Sequence, residues 1–208
     1  MNRATSKRAW IAAIIIVAVI VVDQVLKIWV KTHFCYGEEL EIFSWFKLLF
    51  IENNGMAFGM EMGSKLVLTW FRIIAVILLI YYITRLCRQG DLRPLGYTVC
   101  IALITAGAAG NVIDCIAYGL IFNQPNYGEV AMLFPADGGY ASIFNGRVVD
   151  MLYFPLAEWD WPQWMPAIGG DHFIFFQPVF NIADATLSVG VIVLILFYSR
   201  HLSPKRTE

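Results

Sequence analysis

Residues Tyr97–Leu120 read YTVCIALITAGAAGNVIDCIAYGL. As a helix rising about 1.5 Å per residue the run is long enough to cross a hydrocarbon core of about 30 Å. Its one charged residue is Asp114. A carboxylate at such depth costs roughly 2.5–3.5 kcal/mol on insertion scales, so it persists where it pairs, lines a wet cavity or does chemistry. The same stretch therefore points to a helical membrane protein and to a polar site inside it.

Three more apolar runs flank this one, at 10–30, 66–83 and 179–198, each near the roughly 20 residues that a crossing helix needs. The 208 residues are 59% hydrophobic and only 15% charged, against about 25% charged in a soluble domain. Mean hydropathy is +0.63. Arg3, Lys7 and Arg8 before the first run resemble a secretory signal, but no small-x-small cleavage site follows, which predicts an uncleaved first span. The expected fold is an all-α membrane protein of four transmembrane helices in one integral membrane domain, residues 1–208.

Charge sets the orientation. The N-terminus, the 85–93 loop and the C-terminus together carry nine basic and two acidic residues. Loops 31–65 and 121–178 carry four basic and eleven acidic. By the positive-inside rule both termini are cytoplasmic and the two long loops face out. Helix rise then puts Asp23, Asp114 and Asp184 about 20, 25 and 21 Å above the inner ends of their spans, all toward the outer face. Asp150 is read as an outer-loop residue before Met151-Leu152-Tyr153-Phe154-Pro155. The acids thus gather at one level.

The outer loops have content of their own. Phe46–Ile51 is short and β-favouring, and the amide- and glycine-rich Glu52–Gly59 that follows suits turns. Trp159, Trp161, Trp164, Phe173, Phe175 and Phe176 favour the headgroup level. A small extracytoplasmic β element and an interfacial lid segment are expected there.

Several function classes drop out. A net charge of −1 with no basic cluster argues against nucleic acid. Scattered His33, His172 and His201, with no HExxH, argue against a metal, and no nucleotide-binding glycine loop is present, so no cofactor is expected. Cys35, Cys87, Cys100 and Cys115 show no CxxC spacing, and a disulfide framework is not expected.

Carboxylate–amide chemistry remains. Asn111 and Asp114 are three apart and share a helix face, as do Asn181 and Asp184, with Pro178 at the start of the fourth helix. Two facing carboxylates in a dry site cannot both ionise easily, so one keeps its proton. Such a pair can activate water and protonate a leaving amine. Intramembrane acids also serve proton-coupled transporters, but a transporter should show midplane sites and repeats, which this chain lacks. A non-enzymatic assembly factor would leave the acids dispensable.

Plainer readings apply to several residues. Asp23 and Lys27, four apart, can pair on one face with Lys27 reaching outward. Arg72 can extend to the interface in the same way. Gly107 and Gly110 suit close helix packing. Cys115 reads as a small buried residue.

Five motifs in order carry a family resemblance: Asp23-Gln24-Val25-Leu26-Lys27, Asn53-Asn54-Gly55-Met56-Ala57-Phe58, Gly107–Asp114, Val148-Val149-Asp150 and Phe180-Asn181-Ile182-Ala183-Asp184. Together they resemble lipoprotein signal peptidase (signal peptidase II), a family of four-span bacterial membrane aspartic proteases. The resemblance implies that Asp150 and Asp184 are the catalytic pair and that Asn53, Gly55, Asn111, Asp114, Asn181, Asp23 and Lys27 bind substrate or support the site. It implies a prolipoprotein substrate bearing a diacylglyceryl cysteine, cut before that cysteine, in the bacterial cytoplasmic (inner) membrane with the active site at the periplasmic face. The partners implied are that substrate and membrane lipid. One chain carries a complete set of residues, so a monomer is expected. Two departures stand out: Cys115 occupies the place of the family's usual arginine, with Arg72 and Arg147 as possible substitutes, and residues 115–147 intervene where the family has a short turn.

Overall fold

The computed structural model describes residues 3–53, 65–88 and 93–202. Four helices in it are long and apolar enough to cross a membrane: α1 (Arg3–His33), α2 (Lys65–Arg88), α3 (Leu95–Ile113) and α4 (Ile182–Tyr198). The third continues through a π-helical turn, Asp114–Tyr118, into a last α turn, Gly119–Ile121. Each helix extends a few residues past its expected limits except the fourth, which starts later. Residues 179 and 180 belong to a strand, so Pro178 precedes that strand and does not open the helix.

α3 is the central helix: most of its span is buried, while the other three bury only a small share of theirs. Small residues make that possible. Gly107 has no room for a Cβ, which would run into the Ala183 carbonyl oxygen and the Leu187 backbone of α4. Gly190 on α4 faces Ile104 and the Cys100 carbonyl of α3 in the same way. Ala102 and Ala106 are fully buried. One apolar cluster, holding Ala12, Ile83, Tyr97, Ile101 and Leu194, ties together the start of α1 and the end of α4.

A sheet caps the opposite end. Strands β1 (Glu39–Phe43), β2 (Phe46–Asn53), β3 (Val148–Tyr153) and β6 (Val179–Phe180) form an antiparallel sheet in the order β1-β2-β3-β6. A separate hairpin pairs β4 (Ala157–Asp160) with β5 (His172–Phe175). The small β element expected at 46–51 lies within β2, and the strands extend beyond it because residues 46–53 pair with 148–153 across a long sequence gap. A second cluster, with Val30, Phe34, Phe50, Phe122, Val149 and Met151, packs the sheet onto the ends of α1 and α3.

Candidate active site

The start of α4 organises the site. Asn181 sits in an extended conformation, φ −121 and ψ 178, and its side-chain oxygen accepts the backbone N–H of Asp184 at 2.8 Å. This is an N-cap, which satisfies an otherwise orphaned helix-end donor. It corrects the reading of Asn181 and Asp184 as neighbours along one helix face, since Asn181 lies just outside the helix. The cap places Asp184 in the first turn, partly open.

With its oxygen so engaged, Asn181 turns its NH2 to the sheet. That nitrogen lies 2.7 Å from Asp150 Oδ1, 3.2 Å from the Val149 carbonyl and 3.2 Å from Asn111 Oδ1. Asp150 is on β3, opposite Ile51 of β2, and only 2% exposed. The expectation of a loop position is corrected: hydrogen bonding to β2 draws residues 148–153 into the sheet. Asn53, the last residue of β2, donates its amide to Asp150 Oδ2. Asn111 donates to Asp184 Oδ1 at 2.7 Å. Three asparagines thus connect the two carboxylates from three elements.

Burial, and then the Asp184 carboxylate, push Asp150 up to about 7, against the opposing effect of the Asn181 N–H. Burial and the neighbouring carboxylate both favour the protonated form of Asp150.

Behind this pair lies a buried ionic group. Lys27 Nζ contacts Asp23 Oδ2 at 2.9 Å, Asp114 Oδ2 at 2.7 Å and Asn111 Oδ1 at 2.9 Å. Lys27, Asp23 and Asp114 are fully buried, so the expected outward reach of Lys27 is corrected. Two carboxylates and an amide oxygen compensate the ammonium better than a distant interface would. Asp23 Oδ1 also accepts the Ala183 N–H at 2.9 Å, bracing the first turn of α4. Asp114 Oδ2 accepts the Val149 N–H at 3.4 Å, next to Asp150. Gln24 donates to Asp114 Oδ1 at 2.8 Å and accepts from Tyr118 Oη at 3.1 Å. Sequence reasoning quoted Gln24 but gave it no role, and it passed over Tyr118, whose approach depends on the π turn.

Gly55, expected to support the site, lies outside the described residues. Arg72 is half-buried and directs Nη1 at Cys115 Sγ, 3.7 Å away, and Cys115 is buried as expected. Arg147 pairs with Glu52 at 3.2 Å.

The four helices are those the ordered motifs imply, and comparison with known proteins bears on the family. The family model described as signal peptidase (SPase) II matches residues 15–200. The chain belongs to the signal peptidase II family. Family membership makes it a peptidase and, with four helices able to cross, a multi-pass bacterial membrane protein. It is 49% identical over 193 residues to a protein of Porphyromonas gingivalis (strain ATCC 33277) named lipoprotein signal peptidase, covering 93% of this chain and 84% of that one. A protein of the same name from Amoebophilus asiaticus (strain 5a2) is 36% identical over 200 residues, covering 92% and 78%. A solved structure described as "Bacterial membrane enzyme structure by the in meso method at 2.3 A resolution" aligns with TM-score 0.61 and 26% identity over 95% of this chain and 93% of its own.

Proposed function

We propose that this signal peptidase II family member removes the signal peptide from diacylglyceryl-modified prolipoproteins by hydrolysing the bond before the lipidated cysteine, with Asp150 and Asp184 as its catalytic pair. The observation that carries the assignment is the double use of Asn181, whose amide reaches Asp150 while its oxygen caps the turn that presents Asp184. Two carboxylates held this way share a proton and titrate as a pair.

The ionised member takes a proton from water, which attacks the scissile carbonyl. The protonated member then gives its proton to the departing amine as the C–N bond breaks. The water's oxygen ends in the new carboxyl group. Asn53 and Asn111 hold the two carboxylates in place. Asp23, Lys27 and Asp114 hold Asn111 and the backbones of β3 and α4. The charge bias of the loops supports cytoplasmic termini and a site at the periplasmic face, where a lipid-anchored cysteine would be held. The aromatic 121–178 segment would then lie at the interface as a lid, beside membrane lipid. One chain supplies every residue named, in keeping with a monomer.

The test is cleavage of a diacylglyceryl prolipoprotein by purified protein in detergent, followed as signal-peptide release on a gel. Wild type cleaves; D150N and D184N, checked for intact folding, do not. Robust cleavage by either variant would end the assignment of the pair, and equal activity on unlipidated precursor would end the lipid requirement.

A further inference from the structure

Segment 122–147, longer than the turn expected there, is fastened at its last residue to a buried acid and at its first packs on the lysine paired with that acid. Glu52 binds Lys31 at the end of α1, and Arg147, the last residue of the segment, at 3.2 Å. The Lys31 and Glu52 side chains are 2% and 7% exposed, that of Arg147 38%. The segment closes over Lys31. Its ammonium lies 5.1 Å from the Phe122 ring, 5.4 Å from Tyr140 and 5.7 Å from Phe50, within cation–π range. Ala131 N–H donates to the Lys31 carbonyl at 3.3 Å. Tyr140 Oη accepts the Arg147 N–H at 2.6 Å, and the Arg147 guanidinium stacks 5.1 Å from the same ring.

Glu52 stands immediately before Asn53, whose amide reaches Asp150. In the β2–β3 register Glu52 faces Val149 and Asn53 faces Val148, so the acid lies in the last pairs of the ladder. The pairing is irregular between Leu48 and Ile51, so Ile51, Glu52 and Asn53 form a short run of three pairs beyond that shift. The Glu52 ion pairs add a second hold on this run, next to the residue whose amide reaches Asp150.

We propose that Lys31, Glu52 and Arg147 form a positioning clamp, closed by segment 122–147, that holds Asn53 in hydrogen-bonding position on Asp150. None of the three touches the reacting atoms. The extra segment is then part of the catalytic apparatus of this chain, replacing with an ion triad and an aromatic cage the order that a short turn would impose directly. Buried ionic groups of this kind cost desolvation and are retained where they fix one geometry.

The proposal rests on the catalytic reading above, and the experiment separates the two. Cleavage of diacylglyceryl prolipoprotein is measured for wild type, E52Q, N53A and E52Q/N53A in detergent, with the folded fraction counted by thermal unfolding. E52Q lowers kcat by about tenfold with KM nearly unchanged, the size expected for loosening one charge-assisted hydrogen bond. Its alkaline limb moves to higher pH, since an N–H donor favours the ionised Asp150 carboxylate and loosening it lets the proton stay on longer. In the N53A background the same substitution changes kcat less than about twofold, because residues acting through one contact are not additive. Equal losses in both backgrounds, or an unmoved pH profile, overturn the clamp. Should E52Q not fold, R147M takes its place, because Arg147 is partly exposed; it is expected to show the same dependence on Asn53 at smaller size. An inactive wild type defeats the catalytic reading, whereas an active wild type with E52Q unaffected defeats the clamp alone.

Discussion

Lys27 Nζ lies 2.9 Å from Asn111 Oδ1, and because an ammonium only donates, that contact fixes which way the Asn111 amide faces. The Asn111 NH2 is thereby turned to Asp184, 2.7 Å away. A residue on α1 in this way orients a donor on α3 toward a carboxylate on α4. Gln at position 27 offers both donor and acceptor and releases the amide, while Arg offers donors only. K27R is expected to keep more activity than K27Q, with K27Q falling at least about tenfold in kcat. Breaking a buried ion group also costs about 3–5 kcal/mol, so thermal unfolding must accompany the cleavage assay. Equal activity of the two variants at equal folded fraction contradicts the orienting role.

Asn181 performs two separable tasks. Serine at this position still caps α4 but cannot reach Asp150, whereas alanine does neither. N181A is expected to lose about 1–2 kcal/mol from the missing cap, and N181S to regain most of it. Both should be severely impaired in cleavage. Recovery of activity along with stability in N181S would show that capping is the whole role.

The Asp150 carboxyl, raised from 3.8 to about 7, binds its proton more tightly in the folded protein than in the unfolded chain. In that window the folded state holds more protons, so stability falls as pH rises. The contribution is complete below about pH 4 and is lost as pH passes about 7. The stability of wild type minus that of D150N should therefore decrease from pH 4 to pH 8 in thermal unfolding scans. Cleavage by wild type should also decline above about pH 7, where the proton of the pair is lost. A flat stability difference would place the retained proton elsewhere.

A methyl group at Gly107 would strike the Ala183 carbonyl and the Leu187 backbone of α4. Backbone cannot yield as a side chain can, so the helices must part. G107A is expected to lose about 1–3 kcal/mol, the usual cost of overpacking. Activity should fall too, because Asp184 and Asn111 ride on the separated helices. Unchanged unfolding in detergent would contradict this close approach.

Helix number and the polar face of the bundle were legible because membrane spans announce themselves locally, through about 20 apolar residues and the rare charges within them. Asp184, Asn111 and Asp114 could be placed by counting along those spans. Asp150 could not. Its strand exists through pairing with β2 some hundred positions earlier, and no local pattern reports a partner so distant. Lys27 was misread for a related reason. Long basic side chains near helix ends ordinarily stretch to water, and only the simultaneous approach of Asp23, Asp114 and Asn111 makes the interior preferable. The fourth helix began late because Asn181 can cap, a choice that neither hydropathy nor Pro178 distinguishes.

The π-helical turn at Asp114–Tyr118 amounts to one surplus residue accommodated within α3. Ordinary winding of the same residues would instead turn everything after the bulge by about 100°. Tyr118 would swing away from Gln24, and the chain leading to Arg147 would set off in another direction. The local winding of this short stretch is accordingly a constraint in its own right, one that counting positions along an ideal helix does not reveal.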